Sequence, residues 1–553
     1  MDALVQPDHN SEKISLLPAN SLIEKYSNDH RTLLKITEKA LCTCLEEHQP
    51  ICPPYRLGSN EFLPTRLIDL GNLECLRLIV TADTAIQDRR YVPLSHRWGT
   101  PESAEREAMT TTSANLARRL DGFGLSTLPA RYIEAILICR TMGVRYIWID
   151  SLCIIQGSSE DWHSQCAQMG EVYENGVFTI ASNLSDDGQQ WLPPDPLPWA
   201  LKLWKGGPHK AWLLELITNS PLASRGWCLQ ERHLSPRILH VYHKQVWVWE
   251  CNFRVRGTNS SGLVYSSDVT DDTLSWRKQT LTRSTSFSRD QLFDCWHKLV
   301  ADYTKRRLTN QSDRLPAISG IVRRLQPLLS CAYHAGTWES DIFGLLWYSG
   351  TVLTTSDQIG MTGSPHAFLV ESLIKDPSDA PTWTWAASKK PVRFMGHRIS
   401  GDERGLLEPA VEEEEHRWKI SRSNFTYFAG ISYHSTTSDQ KNHNSSSMTL
   451  IAPEWPSDDD FPRWFSLDNF LVPESGYNQH RDLSNTYELK QNPRDEATQL
   501  HFVVLGTTEY LYAHGIILAP SRLYTGAFVR LGIWSERRLS LPNLDVKFEF
   551  TIV

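Results

Sequence analysis

The 553-residue chain has no long apolar run. A transmembrane helix needs ~18 or more consecutive apolar residues. The richest stretch, Tyr132 to Gln156, is broken by Glu134, Arg140, Arg145 and Asp150, so no membrane span is expected. The first thirty residues hold no apolar core behind a basic start, which excludes a visible secretory signal. Excess positive charge is lacking as well. Lys+Arg number 56 against Asp+Glu 64, a net charge of −8. A general nucleic-acid binder needs a basic face for phosphates, so that class is set aside. No phosphate-cradling glycine loop is present, because Gly122-x-Gly124 has no third glycine and follows no strand. No Gly-x-Ser-x-Gly elbow is present either. The 11 cysteines are an odd count, all between Cys42 and Cys331. In a reducing compartment they are expected as free, mostly buried thiols. The expected location is the cytoplasm.

What is present is a globular composition, 41 % apolar and 22 % charged, with 20 tryptophans, normally a rare residue. Length alone suggests roughly three or four domains, or two larger ones. Residues 1–63 are polar with scattered apolar positions and read as a helical leader. Residues 64–80 read as two short strands around the Gly71-Asn72 turn. Residues 88–255 carry the clearest α/β pattern. Residues 256–290, rich in Ser, Thr and Asp, read as a linker. Residues 291–350 are expected to be helical, with Phe293, Trp296, Leu299, Val300 and Tyr303 at helical spacing. Residues 351–553 are expected to be β-rich, and the stretch between Ser185 and Ala223 is irregular.

The α/β core reads as strand, helix, strand, helix, strand. Tyr91–Ser95 is a short strand, although Pro93 counts against a central place because it cannot donate to a ladder. Ser126 or Thr127 is expected to cap the helix that carries Ile133, Ile136 and Leu137, and Gly143 to stop it. Val144–Ile149 and Val177–Ala181 read as buried strands. Between them Trp162, Cys166, Met169 and Tyr173 share one helical face. A short helix over 224–232 and a hairpin over 237–249 follow. This alternation predicts an α/β fold with a parallel sheet and flanking helices.

Ligands bind beyond the carboxyl ends of such strands, which nominates His96, Arg97, Asp150 and Ser182-Asn183. His96 and Arg97 are read as cations for a phosphate group or as solvated loop residues. Asp150 is read as a functional acid or as a cap for the next turn. Cys153 is read as a packed thiol, and Trp98 and Trp148 as core. Cys42-Thr43-Cys44-x₃-His48-x₃-Cys52 places four soft ligands in eleven residues. A Cys-x-Cys pair clamps zinc less well than Cys-x₂-Cys. The stretch is therefore read as a thiol-rich helix and turn with no metal.

Four blocks in order, YVPLSHRWG (91–99), RYIWIDSLCIIQ (145–156), QMGEVYENGVFTIAS (168–182) and RGWCLQERHLSPRILH (225–240), resemble the fungal heterokaryon incompatibility (HET) domain. The resemblance covers 64–255, with its core at 91–240. Ser151 departs from the usual Asp-Ala-Leu-Cys. It implies a role in fungal non-self recognition and programmed cell death, with a protein partner or self-assembly. The order of pieces also resembles a Toll/interleukin-receptor (TIR) domain, implying a TIR-like or flavodoxin-like sheet. Some TIR domains cleave NAD⁺ with a glutamate behind Trp-Cys-Leu, which here is Glu231, with Trp227 as a ligand-facing neighbour. That makes NAD⁺ a possible substrate and no other cofactor expected. Glu231 reads equally as a charge paired with Arg225, Arg232 or Arg237.

Overall fold

The computed structural model describes residues 19 to 552, apart from internal segments of which the larger are 184–212, 269–286, 355–379, 395–424 and 468–500. Most of the irregular stretch before Ala223 thus lies outside the described residues. The chain divides into two compact units. One is Met1–Ser284 with Pro316–Arg324, the other Thr285–Leu315 with Leu325–Val553.

The first unit opens with helices α1 (Ala19–Asp29) and α2 (Arg31–Glu46). Leu33, Leu34, Thr37, Ala40 and Cys44 form the buried stripe of α2. Strands β1 (Arg66–Asp69) and β2 (Arg77–Val80) pair antiparallel. The turn between them is held by Asp69 and Asn72, whose side chains accept from the Gly71 and Glu74 N–H groups. Then come β3 (Tyr91–Ser95), α3 (Ala130–Thr141), β4 (Tyr146–Ile149), α4 (Ser159–Glu174), β5 (Thr179–Ser182), α5 (Cys228–Leu234), β6 (Arg237–Val241), β7 (Trp247–Cys251), β8 (Arg254–Thr258) and β9 (Val264–Asp268).

The nine strands form one sheet in the order β9-β8-β7-β6-β5-β3-β4-β1-β2. Only the central four, β6-β5-β3-β4, run parallel. The sheet is therefore mixed, where an all-parallel one was expected. Connection length accounts for β1–β2 and for β6 to β9, which follow each other through short turns that permit only antiparallel pairing; β1 also runs antiparallel to β4, far from it in the chain. The stretch read as a linker from 256 opens inside this sheet, as β8 and β9.

Pro93 sits in a central strand after all, paired with Trp148 in β4. Its ring carbon Cδ lies beside Gly176, where an added Cβ would come within 2.5 Å. The missing N–H thus faces the turn before β5 begins, and the ladder loses nothing there. Gly143 ends α3 with a φ of 71°, the left-handed stop a Cβ would strain. Neither Ser126 nor Thr127 caps that helix. Both lie in a separate 3₁₀ turn, and Pro129 occupies the N-cap position. Ser158 does cap α4, accepting from the Asp161 N–H. All residues of β3 to β7 are buried, as expected of strands covered on both faces.

The second unit holds helix α6 (Arg289–Tyr303), opened by a capping box of Ser288 and Gln291. Its apolar face buries Phe293, Trp296, Leu299, Val300 and Tyr303. Trp338, Trp347, Trp383 and Trp385 are also fully buried. Two of the indole N–H groups are spent locally: Trp347 donates to the Trp383 carbonyl and Trp385 to that of Gly336. A ten-stranded, almost wholly antiparallel sheet is drawn from 353–354 and 425–552, and two smaller two-stranded sheets pair Tyr333–His334 with Thr337–Trp338 and Trp347–Ser349 with Val392–Phe394.

Candidate functional site

The carboxyl ends of β3 and β4 and the start of α5 meet at Glu231. Crowding of two glycines fixes the helix that carries it. Gly170 of α4 and Gly320 approach so closely that a Cβ on Gly170 would stand 2.8 Å from the Gly320 Cα. The Gly320 N–H donates to Gln230 Oε1 at 2.9 Å. Behind α5, Arg232 donates to Glu250 of β7 at 3.0 Å, and His240 of β6 pairs with the same carboxylate at 2.7 Å. These three are buried, so α5 is anchored by ionic and helical packing on either side of Glu231.

Glu231 itself is only 5 % exposed. Ser95, the last residue of β3, donates to Glu231 Oε2. Ser95 Oγ also lies 3.7 Å from Cys228 Sγ. Burial raises the Glu231 pKa above the usual carboxylate value. The Arg225 charge and the Ser95 hydroxyl oppose that rise, and the Asp150 charge adds to it. Arg225 in turn donates to the His96 carbonyl. One corner therefore gathers Glu231, Ser95, Arg225, His96 and Asp150.

His96 differs from the expectation of a cation for phosphate. It is 2 % exposed, and burial lowers its pKa to about 4. The charges of Arg225 and Arg131 push the same way, against the pull of Asp150. A neutral imidazole results at pH 7. Its Nε2 pairs with the Tyr132 hydroxyl at 2.8 Å, and that hydroxyl with Ser151 Oγ at 2.7 Å. Its Nδ1 stands 3.6 Å from Asp150 Oδ1. Asp150 also accepts from the Ser151 N–H at 2.6 Å and from the Trp98 indole at 2.9 Å. Asp150 does not cap the short helix that follows, whose N-cap position is Ile149; its side chain instead lies among His96, Ser151 and Trp98. Trp98 is an acid's partner and not plain core.

The remaining nominees are less central. Arg97 is half-buried next to His96. Ser182 ends β5 and is buried, and no hydrogen bond joins it to the Glu231 corner among the described residues. Asn183 is tied back to the sheet through the Val241 and Ala181 carbonyls. Trp227 packs against the main apolar core. Cys153 is fully buried, and burial pushes its thiol up to about 12, as a packed thiol should be. The sequence reading missed Ser95 and Tyr132. Ser95 obeys the strand-end rule one residue early, whereas Tyr132 gives no local signal.

Residues 91–231 match the family model described as heterokaryon incompatibility protein (HET). The chain carries a HET domain. No curated protein and no solved structure matches the chain. The matched span of the HET domain begins at the first residue of β3 and ends at Glu231. It holds the whole polar corner, from Ser95 to the glutamate. Chemically, that corner of the HET domain offers a carboxylate with a raised pKa next to a guanidinium, a hydroxyl and a neutral imidazole. Such a set can steady a developing positive charge or accept a proton from water.

Proposed function

We propose that this heterokaryon-incompatibility-type protein acts in fungal non-self recognition as a trigger or transducer of programmed cell death, with the Glu231 corner as its working site. The match of residues 91–231 to the HET family carries this reading. On this reading the protein works in the cytoplasm, through a protein partner or through self-assembly. His96, Arg97, Asp150, Ser182 and Trp227 are assigned to ligand contact, with Ser95 and Arg225 added as positioning residues.

A second reading, NAD⁺ hydrolysis, is favoured by one observation: the convergence of Glu231 with Ser95, Asp150 and His96 at the ends of parallel strands. The order of those strands along the chain supports it. From one edge inwards the parallel set runs second, first, third, fourth, the order of flavodoxin-like sheets, whose ligands sit between the first and third strands. Ser95 ends that first strand. In the reaction, water would add to C1′ of the nicotinamide ribose as the C1′–N bond breaks. Nicotinamide would leave with the bonding electron pair and need no proton. The Glu231 carboxylate would steady the oxocarbenium-like state and take the water's proton.

Inducible expression in a fungal host, with viability and NAD⁺ scored together, tests both readings. Wild type is expected to kill and to deplete NAD⁺, and Glu231→Gln to do neither. Killing without NAD⁺ loss would leave the signalling reading and end the enzymatic one. Survival of the host at full expression of wild type would end the cell-death role.

A further inference from the structure

Cys44, His48, Cys52 and Cys251 meet in one buried knot, their ligand atoms all within 4.8 Å of one another. Three come from one stretch. Cys44 lies in the last turn of α2, and the chain keeps turning beyond it, the Cys52 N–H bonding the His48 carbonyl at 2.9 Å. Spacing of four and four puts Cys44, His48 and Cys52 on one side. Cys42, two residues away, points elsewhere and is exposed. The fourth member, Cys251, ends β7, 203 residues after His48.

We propose that Cys44, His48, Cys52 and Cys251 bind one Zn²⁺ ion tetrahedrally, a structural site that pins the N-terminal helices to the sheet. The spacing fits. With Zn–S near 2.3 Å and Zn–N near 2.05 Å, a tetrahedral site has S···S edges of about 3.8 Å and S···N edges of about 3.6 Å. Cys251 Sγ lies 3.5 Å from His48 Nδ1. The four atoms stand too close for an iron–sulfur cluster, whose ligands are held apart by the width of the cluster.

The surroundings fit a thiolate centre. The backbone N–H groups of Arg254 and Phe253 both bond Cys251 Sγ, the former at 3.3 Å. Such donors hold a ligand sulfur in place and stabilise its charge. Arg237 is 1 % exposed and close enough for its charge to act on Cys44. It donates to the carbonyls of Pro53 and Val177, and no carboxylate pairs with it among the described residues. A buried guanidinium without an acid is costly. Zn²⁺ with three thiolates and a neutral histidine carries one negative charge, which would offset it. Binding would release three thiol protons. The sequence reading assigned no metal here because it weighed Cys42 and had no sight of Cys251.

The test uses full-length protein purified under reducing conditions. Metal analysis is expected to give about one zinc per chain, and Cys42→Ser to leave it unchanged. Cys251→Ser should lose most of it, and Cys251→His should keep more than the serine variant. Cobalt loaded in place of zinc should give the strong visible absorption of a tetrahedral thiolate site. If the cysteine variants fail to fold, the wild-type zinc content and cobalt spectrum decide alone. A wild-type protein that purifies without zinc and takes up neither zinc nor cobalt would overturn the proposal. So would a disulfide joining two of these three cysteines in freshly isolated protein, or zinc that disappears with Cys42→Ser.

Discussion

At the scale of single residues, burial decides the chemistry of the site. His96 is poised to be neutral because its ring is cut off from water, whatever its sequence neighbours suggest. This gives stability a pH signature. An unfolded histidine takes a proton near 6.5, the folded His96 only near 4. Protonation therefore favours the unfolded state, and stability is fully present above pH 6.5 and falls as pH drops toward 4. Thermal melts over that range should show the fall, with a flatter profile for His96→Gln. Glu250 supplies a second test at this scale. It is the shared acid of Arg232 and His240. Glu250→Ala leaves a buried guanidinium without that partner and is expected to cost about 3–5 kcal/mol, measured by denaturant unfolding.

At the scale of elements, close backbone approach sets where α5 can lie. Gly170 has a Cα from Gly320 at 2.8 Å where its own Cβ would go. Gly170→Ala forces that neighbour away. The expected loss is about 1–3 kcal/mol, read as a lower melting temperature, with Glu231 displaced. The two glycines belong to segments 150 residues apart, and no local pattern marks the pair. By contrast the buried face of α4, the Gly143 stop and the strands β3 to β7 follow from spacing alone. Pro93 misled the reading because a proline is excluded only where its nitrogen faces a formed ladder, and here it faces a turn.

At the scale of the whole molecule, the first unit is not one continuous segment. Pro316–Arg324 returns to it from beyond residue 284 and supplies the Gly320 N–H that holds Gln230. A fragment ending at Ser284 is expected to melt lower and to aggregate. A fragment with residues 285–315 replaced by a Gly/Ser linker of equal length, running on to residue 330, should recover several degrees in a thermal-shift assay. Equal melting of the two fragments would show that the return segment contributes nothing.

The sequence by itself determined most local elements and a family pattern with its core at 91–240, within which the family match at 91–231 falls. Strand and helix periodicity, caps and stops are short-range properties, set by neighbours within a few residues. It also placed His96 and Asp150 at the strand ends, because chain alternation dictates a parallel core, while Glu231, on helix α5, came from the resemblance alone. Only the tertiary structure decided the mixed sheet, the neutral state of His96, the part of Ser95 and Arg225 around Glu231, and the meeting of Cys251 with His48. Each depends on residues far apart in the chain that burial brings together, and burial sets charge, hydrogen bonding and ligand geometry in a way no local pattern carries.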